Sequence, residues 1–196
     1  SDELTVQIKI KKFNTIKELF LPDVMISAGS ILDANFNAGT NKLNVQFNSA
    51  KINYKSMFAN DLVFILNEND STVLAEVSGK SFNLADSLKM ENFNFSVKSV
   101  DRRTSYNLDW DNLKAPANRG ELKGQIHYGE NQFLVFNEKI SATINDSTWN
   151  LQAPNTFIIE KNGNLKVDPL VIVNHQQSIK LRGALSDRVE DSLVIS

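Results

Sequence analysis

The feature that most constrains this chain is a two-residue period in its apolar side chains. Successive side chains of a β-strand point to opposite faces, so this period predicts strands with one apolar and one polar face. The positions that carry it are Leu4, Val6, Ile8 and Ile10; Leu32, Ala34 and Phe36; Leu43, Val45 and Phe47; Leu122, Gly124, Ile126 and Tyr128; Ile140, Ala142 and Ile144; Phe157 and Ile159; and Ile179 and Leu181. The sequence therefore predicts a nearly all-β chain.

Turn-forming residues separate these segments at intervals of roughly 8–12 residues, which is typical of short antiparallel strands. The predicted turns are Ala38–Asn41, Asn67–Ser71, Tyr128–Asn131, Asn145–Ser147 and Lys161–Asn164. We interpret Ser78–Ser81 as a further hairpin turn. Its Ser-Gly-Lys-Ser sequence is similar to the end of a phosphate-binding loop, but Leu74 stands where that motif has a glycine and no helix pattern follows.

One short helix is predicted in the N-terminal part, over Thr15–Phe20. Thr15 and Glu18 have the spacing of a capping box, and Pro22 ends the segment. The apolar side of this helix consists of Ile16, Leu19 and Phe20. Because so short a helix is marginal alone, we expect it to cover an end or an edge of the sheet.

The length of 196 residues predicts a single β-rich segment over 1–196, which we expect to be part of a longer protein. The longest polar break between alternating segments runs from Asp109 to Gly120, and it places a sub-boundary near 112–120. Hydrophobic residues make up 41% of the chain, enough to form a core.

Charge and composition exclude several classes of function. The chain has 21 Lys and Arg against 23 Asp and Glu, so it lacks the basic excess that binds nucleic acid. It has no cysteine, which excludes disulfides, thiol catalysis and cysteine-based metal sites. There is no apolar run long enough for a transmembrane helix.

No set of catalytic residues can be assembled from the sequence, so we expect no enzyme, no metal and no cofactor. The two histidines, His127 and His175, lie far apart and have no ligand at metal-site spacing. Neither of the acidic segments Asn67–Asp70 and Asp109–Asn112 supplies both the glycine and the distal glutamate of a calcium loop. We interpret them as solvated carboxylates in turns.

The apolar stripe has two interpretations, and composition does not separate them. It forms either the dry interior of a closed sandwich, which is the default for a domain, or the lining of an open groove. Leaving about 400 Å² of apolar surface in water gives up on the order of 10 kcal/mol of burial, so an open groove implies a ligand or a partner.

The C-terminal segment Ile140–Ile195 resembles the recurrent unit of the TamB family, AsmA-like subunits of the bacterial translocation and assembly module. The segments that carry the resemblance are Trp149, Asn155–Ile159, Asn164–Leu170, Gln177–Gly183 and Asp191–Leu193. In the N-terminal part, the Thr15–Phe20 helix, Leu21-Pro22, Gly29 and the strand through Phe36 are similar to the family's helix-to-strand transitions. The Asn- and Lys-rich composition is similar to that of members from Bacteroidetes.

The resemblance implies a curled, taco-like antiparallel or solenoid-like sheet with an apolar concave face. It also implies a periplasmic segment of a protein anchored in the inner membrane, whose partners are phospholipid acyl chains and an Omp85-type outer-membrane barrel. The implied function is phospholipid transfer between the two membranes, or assembly and secretion of outer-membrane proteins. A structural β-solenoid or adhesin-like module with a dry core is the alternative. A curled sheet separated from its neighbours in the full protein exposes strand edges, which predicts edge-to-edge self-association of the fragment.

On this hypothesis, the groove is lined by the apolar residues of the alternating strands. The predicted lining residues are Leu32, Phe36, Leu43, Val45, Phe47, Ile126, Ile140, Ile144, Phe157, Ile159, Ile179 and Leu181.

Overall fold

The computed structural model of the chain is all-β, with 77% of the described residues in strands. It describes residues 2–13, 23–84, 88–101, 103–112, 117–186 and 190–196, and no helix occurs among them. The predicted all-β class is therefore confirmed. The predicted helix Thr15–Phe20 lies outside the described residues.

The described residues form fifteen strands, numbered here in chain order. Their bounds are β1 Glu3–Lys9, β2 Val24–Ile26, β3 Ile31–Asn37, β4 Lys42–Tyr54, β5 Met57–Asn69, β6 Thr72–Leu84, β7 Leu88–Val100, β8 Arg103–Asp111, β9 Asn118–Tyr128, β10 Gln132–Ile144, β11 Ser147–Leu151, β12 Asn155–Glu160, β13 Leu165–Asn174, β14 Gln177–Leu185 and β15 Leu193–Ile195.

These strands make one antiparallel sheet in nearly sequential order. The order is β1-β3-β4-β5-β6-β7-β8-β9-β10-β11-β13-β14-β15, with β2 paired to β4 and β12 paired to both β10 and β13. The five turns predicted from Ala38–Asn41 to Lys161–Asn164 all lie at or between consecutive strands. Short polar turns thus connect neighbours that pair directly, as expected for antiparallel hairpins.

The chain divides into two compact units. The first contains Ser1–Lys98 and Trp110–Asn112, and the second contains Ser99–Asp109 and Leu113–Ser196. The polar break Asp109–Gly120 contains the end of β8 and the start of β9.

In the first unit, the strand next to β4 is interrupted. β2 pairs with Ile52–Tyr54 and β3 with Lys42–Asn48, so the segment 27–30 lies between two strands that share one partner. Three serine hydroxyls meet at this interruption: Ser30 Oγ donates to Ser49 Oγ at 2.8 Å, and Ser27 Oγ lies 3.2 Å from Ser49 Oγ. Ser30 and Ser49 are buried, and their hydroxyls satisfy one another where the β3 ladder ends.

In the second unit, the regular strand pairing is interrupted at three places that lie side by side in the sheet: in β10, between β11 and β12, and in β13. β10 shifts register between Asn137 and Lys139, and β13 shifts between Val167 and Leu170. Between these two strands, residues 152–154 separate β11 from β12. Bulges bend a strand and increase its twist, so we expect β10 and β13 to bend at these positions.

Ser78–Ser81 does not form a hairpin turn, so that prediction is wrong. These residues lie within β6, paired with β5 through Val63–Ser78 and Asn60–Ser81. A Cβ on Gly79 would lie 2.7 Å from Cε1 of Phe93, so the aromatic ring fills the space that a side chain would take. Glycine marks this strand position because another side chain packs directly on its backbone.

Candidate functional site

One face of the sheet in the first unit is almost entirely apolar. The register of β1, β3, β4, β5 and β6 aligns three rows of five residues on this face, because directly paired residues point to the same side. Glu68 occupies one of these fifteen positions and apolar residues occupy the other fourteen. These fourteen residues, here called the first apolar face, are Leu4, Val6, Ile8, Leu32, Ala34, Phe36, Leu43, Val45, Phe47, Phe64, Leu66, Val73, Ala75 and Val77.

None of the fourteen side chains is buried. Exposure is greatest toward the β1 edge, where Leu4 is 61% and Ile8 48% exposed. The residues in the middle of the face are partly exposed, whereas the polar residues that alternate with them in β4, Lys42, Asn44 and Gln46, are exposed. An apolar face on which no residue is buried has no tightly packed second layer over it among the described residues.

The opposite face of these strands is mostly polar. Side-chain hydrogen bonds run across β1 and β3, from Asn37 Nδ2 to Glu3 Oε1 at 2.8 Å and from Gln7 Nε2 to Asp33 Oδ1 at 2.7 Å. A shallow cavity of about 230 Å³ lies on this side. It is lined by Thr5, Asp33, Ala34, Asn35, Asn44, Val45, Gln46, Ile65 and Asn67.

The second unit has an apolar face of its own. The register of β9 to β15 places twenty-one apolar residues on one side. This second apolar face consists of Leu122, Ile126, Tyr128, Phe133, Val135, Ile140, Ala142, Ile144, Trp149, Leu151, Phe157, Ile159, Leu165, Val167, Leu170, Ile172, Ile179, Leu181, Leu185, Leu193 and Ile195. Only Val167 and Leu170, beside the β13 bulge, are buried.

All twelve predicted lining residues lie on these two faces. The first apolar face contains Leu32, Phe36, Leu43, Val45 and Phe47. The second apolar face contains Ile126, Ile140, Ile144, Phe157, Ile159, Ile179 and Leu181. The structure thus brings the predicted residues together within each unit, while their role as a lipid lining stays a prediction.

Sequence reasoning missed the contribution of β5 and β6 to the first apolar face. The run Leu62–Leu66 is apolar at every position, because Val63 and Ile65 on the opposite side of the strand are apolar too. An apolar residue at every position shows no two-residue period. The sequence feature that could have assigned the residues of β5 and β6 to this face is the two-residue connection after Asn69. A connection of two residues fixes the register of a hairpin, here Asn69 opposite Thr72, and hence the side on which each residue lies.

A row of polar residues interrupts the second apolar face at the line of bulges. Gly124, Asn137 and Asn155 are directly paired across β9, β10 and β12, and both asparagines are buried. Tyr106 Oη donates to Asn137 Oδ1 at 2.7 Å. Burial, with a smaller contribution from the negative charge of Glu138, raises the pKa of Tyr106.

We expect the Tyr106→Phe variant to lose about 1–3 kcal/mol of unfolding free energy, because Asn137 Oδ1 stays buried without its donor. Tyr106 has a raised pKa in the folded chain, so its contribution is complete below the ordinary tyrosine pKa of about 10 and declines as pH rises through the folded value. Urea unfolding at a series of pH values should therefore show the difference between wild type and variant shrinking above about pH 10. A difference that is constant or grows with alkaline pH contradicts this assignment.

The described residues contain no cluster of three or more histidine, aspartate or glutamate side chains that could hold a metal. His127 packs against the Phe136 ring, with 4.7 Å between ring centroids, and His175 lies in the turn between β13 and β14. Glu121 forms ion pairs with Lys123 and Lys139. Hydrogen bonds from these lysines lower the pKa of Glu121, but both lysine side chains are so exposed that the pairs contribute little to stability.

The part of the chain that the structure describes contains no helix of the length and hydrophobicity needed to span a membrane. Comparison with protein-family models, curated proteins and solved structures found no match for this chain. The resemblance to the TamB family therefore remains a prediction from the sequence.

Proposed function

We propose that this chain is a non-enzymatic, lipid-binding segment of a TamB-like envelope protein. In this proposal the first and second apolar faces bind phospholipid acyl chains. Through the full-length protein they support phospholipid transfer between the inner and outer membranes, or outer-membrane protein assembly and secretion. The periplasmic location, the inner-membrane anchor and the Omp85-type partner rest on the resemblance.

The observation that carries the proposal is the first apolar face, where fourteen of fifteen aligned positions are apolar and none is buried. Neighbouring strands lie about 4.8 Å apart, and residues on one side of a strand repeat about every 6.8 Å, so each residue covers roughly 33 Å² of the sheet. The fourteen apolar residues therefore cover about 450 Å². A patch of this size is comparable with the largest apolar patch on a typical soluble monomer, and such patches are often functional. Covering it completely contributes on the order of 10 kcal/mol, at roughly 25 cal/mol per Å².

An acyl chain is the ligand whose chemistry matches this surface. It needs continuous apolar contact and no hydrogen bonds, and the three rows provide that contact across five strands. Each buried methylene contributes about 0.8 kcal/mol, so about 14 carbons gain on the order of 11 kcal/mol before entropy losses. A peptide strand, by contrast, needs backbone hydrogen-bonding groups, which a sheet offers at its edges and not on its faces.

The test places a photoreactive phenylalanine analogue at Phe47 and, as a matched control, at Gln46. The two residues are adjacent in β4 and point to opposite faces. After incubation with vesicles of phosphatidylethanolamine and phosphatidylglycerol, we expect illumination to attach phospholipid at position 47 and not at position 46. Organic extraction and mass spectrometry of the purified protein should also recover phospholipid. Equal labelling at both positions, with no extracted lipid, favours the structural module with a dry core.

A further inference from the structure

The outer edge of β1 is the strongest candidate for an interaction surface. β1 ends the strand order, and β3 is its only strand partner among the described residues. All seven of its residues are exposed. Such an edge is a template for pairing with another strand.

The hydrogen bonds to β3 identify which backbone groups of β1 point outward. Ala38 N donates to Asp2 O at 2.7 Å, Ile10 N donates to Ser30 O at 2.8 Å, and Gly29 N donates to Ile10 O at 2.7 Å. The even-numbered residues therefore direct their backbone groups toward β3. Because these directions alternate in an antiparallel pair, the backbone groups of Glu3, Thr5, Gln7 and Lys9 point away from β3, to the edge that no other described strand occupies.

We propose that β1 pairs antiparallel with β1 of a second copy of this chain, about a two-fold axis at Val6. In this register Glu3 lies opposite Lys9 of the second copy, Leu4 opposite its Ile8, and Thr5 opposite its Gln7. Every apolar residue thus meets an apolar residue and each terminal carboxylate meets an ammonium group. Opposite charges directly across two strands stabilise the pairing, whereas like charges destabilise it.

The same register satisfies the backbone. The outward-pointing residues Glu3, Thr5, Gln7 and Lys9 form the hydrogen-bonded pairs, and Val6 opposite Val6 is a non-hydrogen-bonded pair. Moving the axis to Thr5 or Gln7 leaves two residues of the strand unpaired and separates the charges. The two-fold axis is perpendicular to the sheet, so the first apolar face continues on the same side into the second copy. This isologous contact closes, which limits assembly through this edge to a dimer.

A cysteine experiment tests the register without background, because the chain has no cysteine of its own. In a non-hydrogen-bonded pair the Cα atoms lie about 4.5 Å apart, within disulfide range, so the Val6→Cys chain should form a covalent dimer on mild oxidation. Leu4→Cys is the matched control on the same face, since its two copies lie roughly 13 Å apart in this register. Mixing Leu4→Cys with Ile8→Cys should restore crosslinking.

Charge reversal provides the second test. Glu3→Lys and Lys9→Glu each place like charges opposite one another in both pairs of a homodimer, and sedimentation should show association weakened roughly tenfold or more. An equal mixture of the two variants restores both pairs and should dimerise at least as well as wild type. The proposal is wrong if Val6→Cys crosslinks no faster than Leu4→Cys. It is also wrong if the mixture of Glu3→Lys and Lys9→Glu dimerises as weakly as either variant alone. The dimer does not depend on lipid binding, so its failure leaves the proposed function standing.

Discussion

Replacing Gly124 with alanine is expected to unfold the second unit or bring it close to unfolding. A Cβ at this position would lie 2.0 Å from the carbonyl oxygen of Phe136 and 2.3 Å from Tyr106 Oη. Both contacts are far inside van der Waals distance, and one of them is backbone. To remove these clashes, β10 would have to move or Tyr106 would have to leave Asn137. We therefore expect the unfolding free energy to fall by at least about 3 kcal/mol.

Gly39→Ala is the matched control for this variant. Its Cβ would meet only side-chain atoms, the nearest 3.5 Å away, in the turn between β3 and β4. We expect its urea midpoint to stay close to that of wild type, while Gly124→Ala shows a large decrease or no folded baseline. A Gly124→Ala protein as stable as the control is incompatible with the close approach of Tyr106 and β10 to this glycine.

The sequence does not show why position 124 requires glycine. The two-residue period placed it on the apolar side of its strand, between Leu122 and Ile126. Its need for glycine comes from Tyr106, in another strand, and from the backbone of Phe136. Such a contact depends on which strands become neighbours, and a local period contains no information about that.

The strands themselves were predictable wherever one face is apolar and the other polar. In β3 and β4, for example, the alternation of Leu32–Phe36 and Leu43–Phe47 survives directly in the register, because the turn at 38–41 aligns the apolar positions of one strand with those of the next. The prediction failed at Ser78–Ser81, where small residues indicated a turn but Phe93 occupies the space above Gly79. Contacts between distant segments thus decide the cases in which local propensity is ambiguous.

The candidate site was predictable as a set of residues, but its geometry was not. The period assigns each residue to a side of its own strand, and the antiparallel register then gathers these sides into a common face. The sequence does not predict the polar row at Asn137 and Asn155, since it arises where a bulge in β10 lies beside the start of β12. Bulges have weak sequence signals, because a single added residue only shifts the period.

Phe157 lies on the second apolar face between Val135 and Val167. Its side chain is only partly buried, so an introduced carboxylate keeps contact with water. We therefore expect Phe157→Asp to fold, with a decrease in unfolding free energy of about 1–2 kcal/mol. In a dry core the same change buries an unpaired charge and costs several kcal/mol.

Lipid binding should respond much more strongly than stability. A carboxylate placed against an acyl chain costs roughly 2.5–3.5 kcal/mol, which corresponds to about 60-fold or more in affinity. A photoreactive residue at Ile159, two residues along on the same face, reports this loss as reduced crosslinking to phospholipid. Thr156→Asp is the matched control, because Thr156 pairs with Phe136 on the opposite side and its substitution should leave crosslinking intact. If Phe157→Asp unfolds, and charges at Ile126, Ile144 and Leu181 do so as well, the second apolar face is a packed interior and the closed sandwich is the correct architecture.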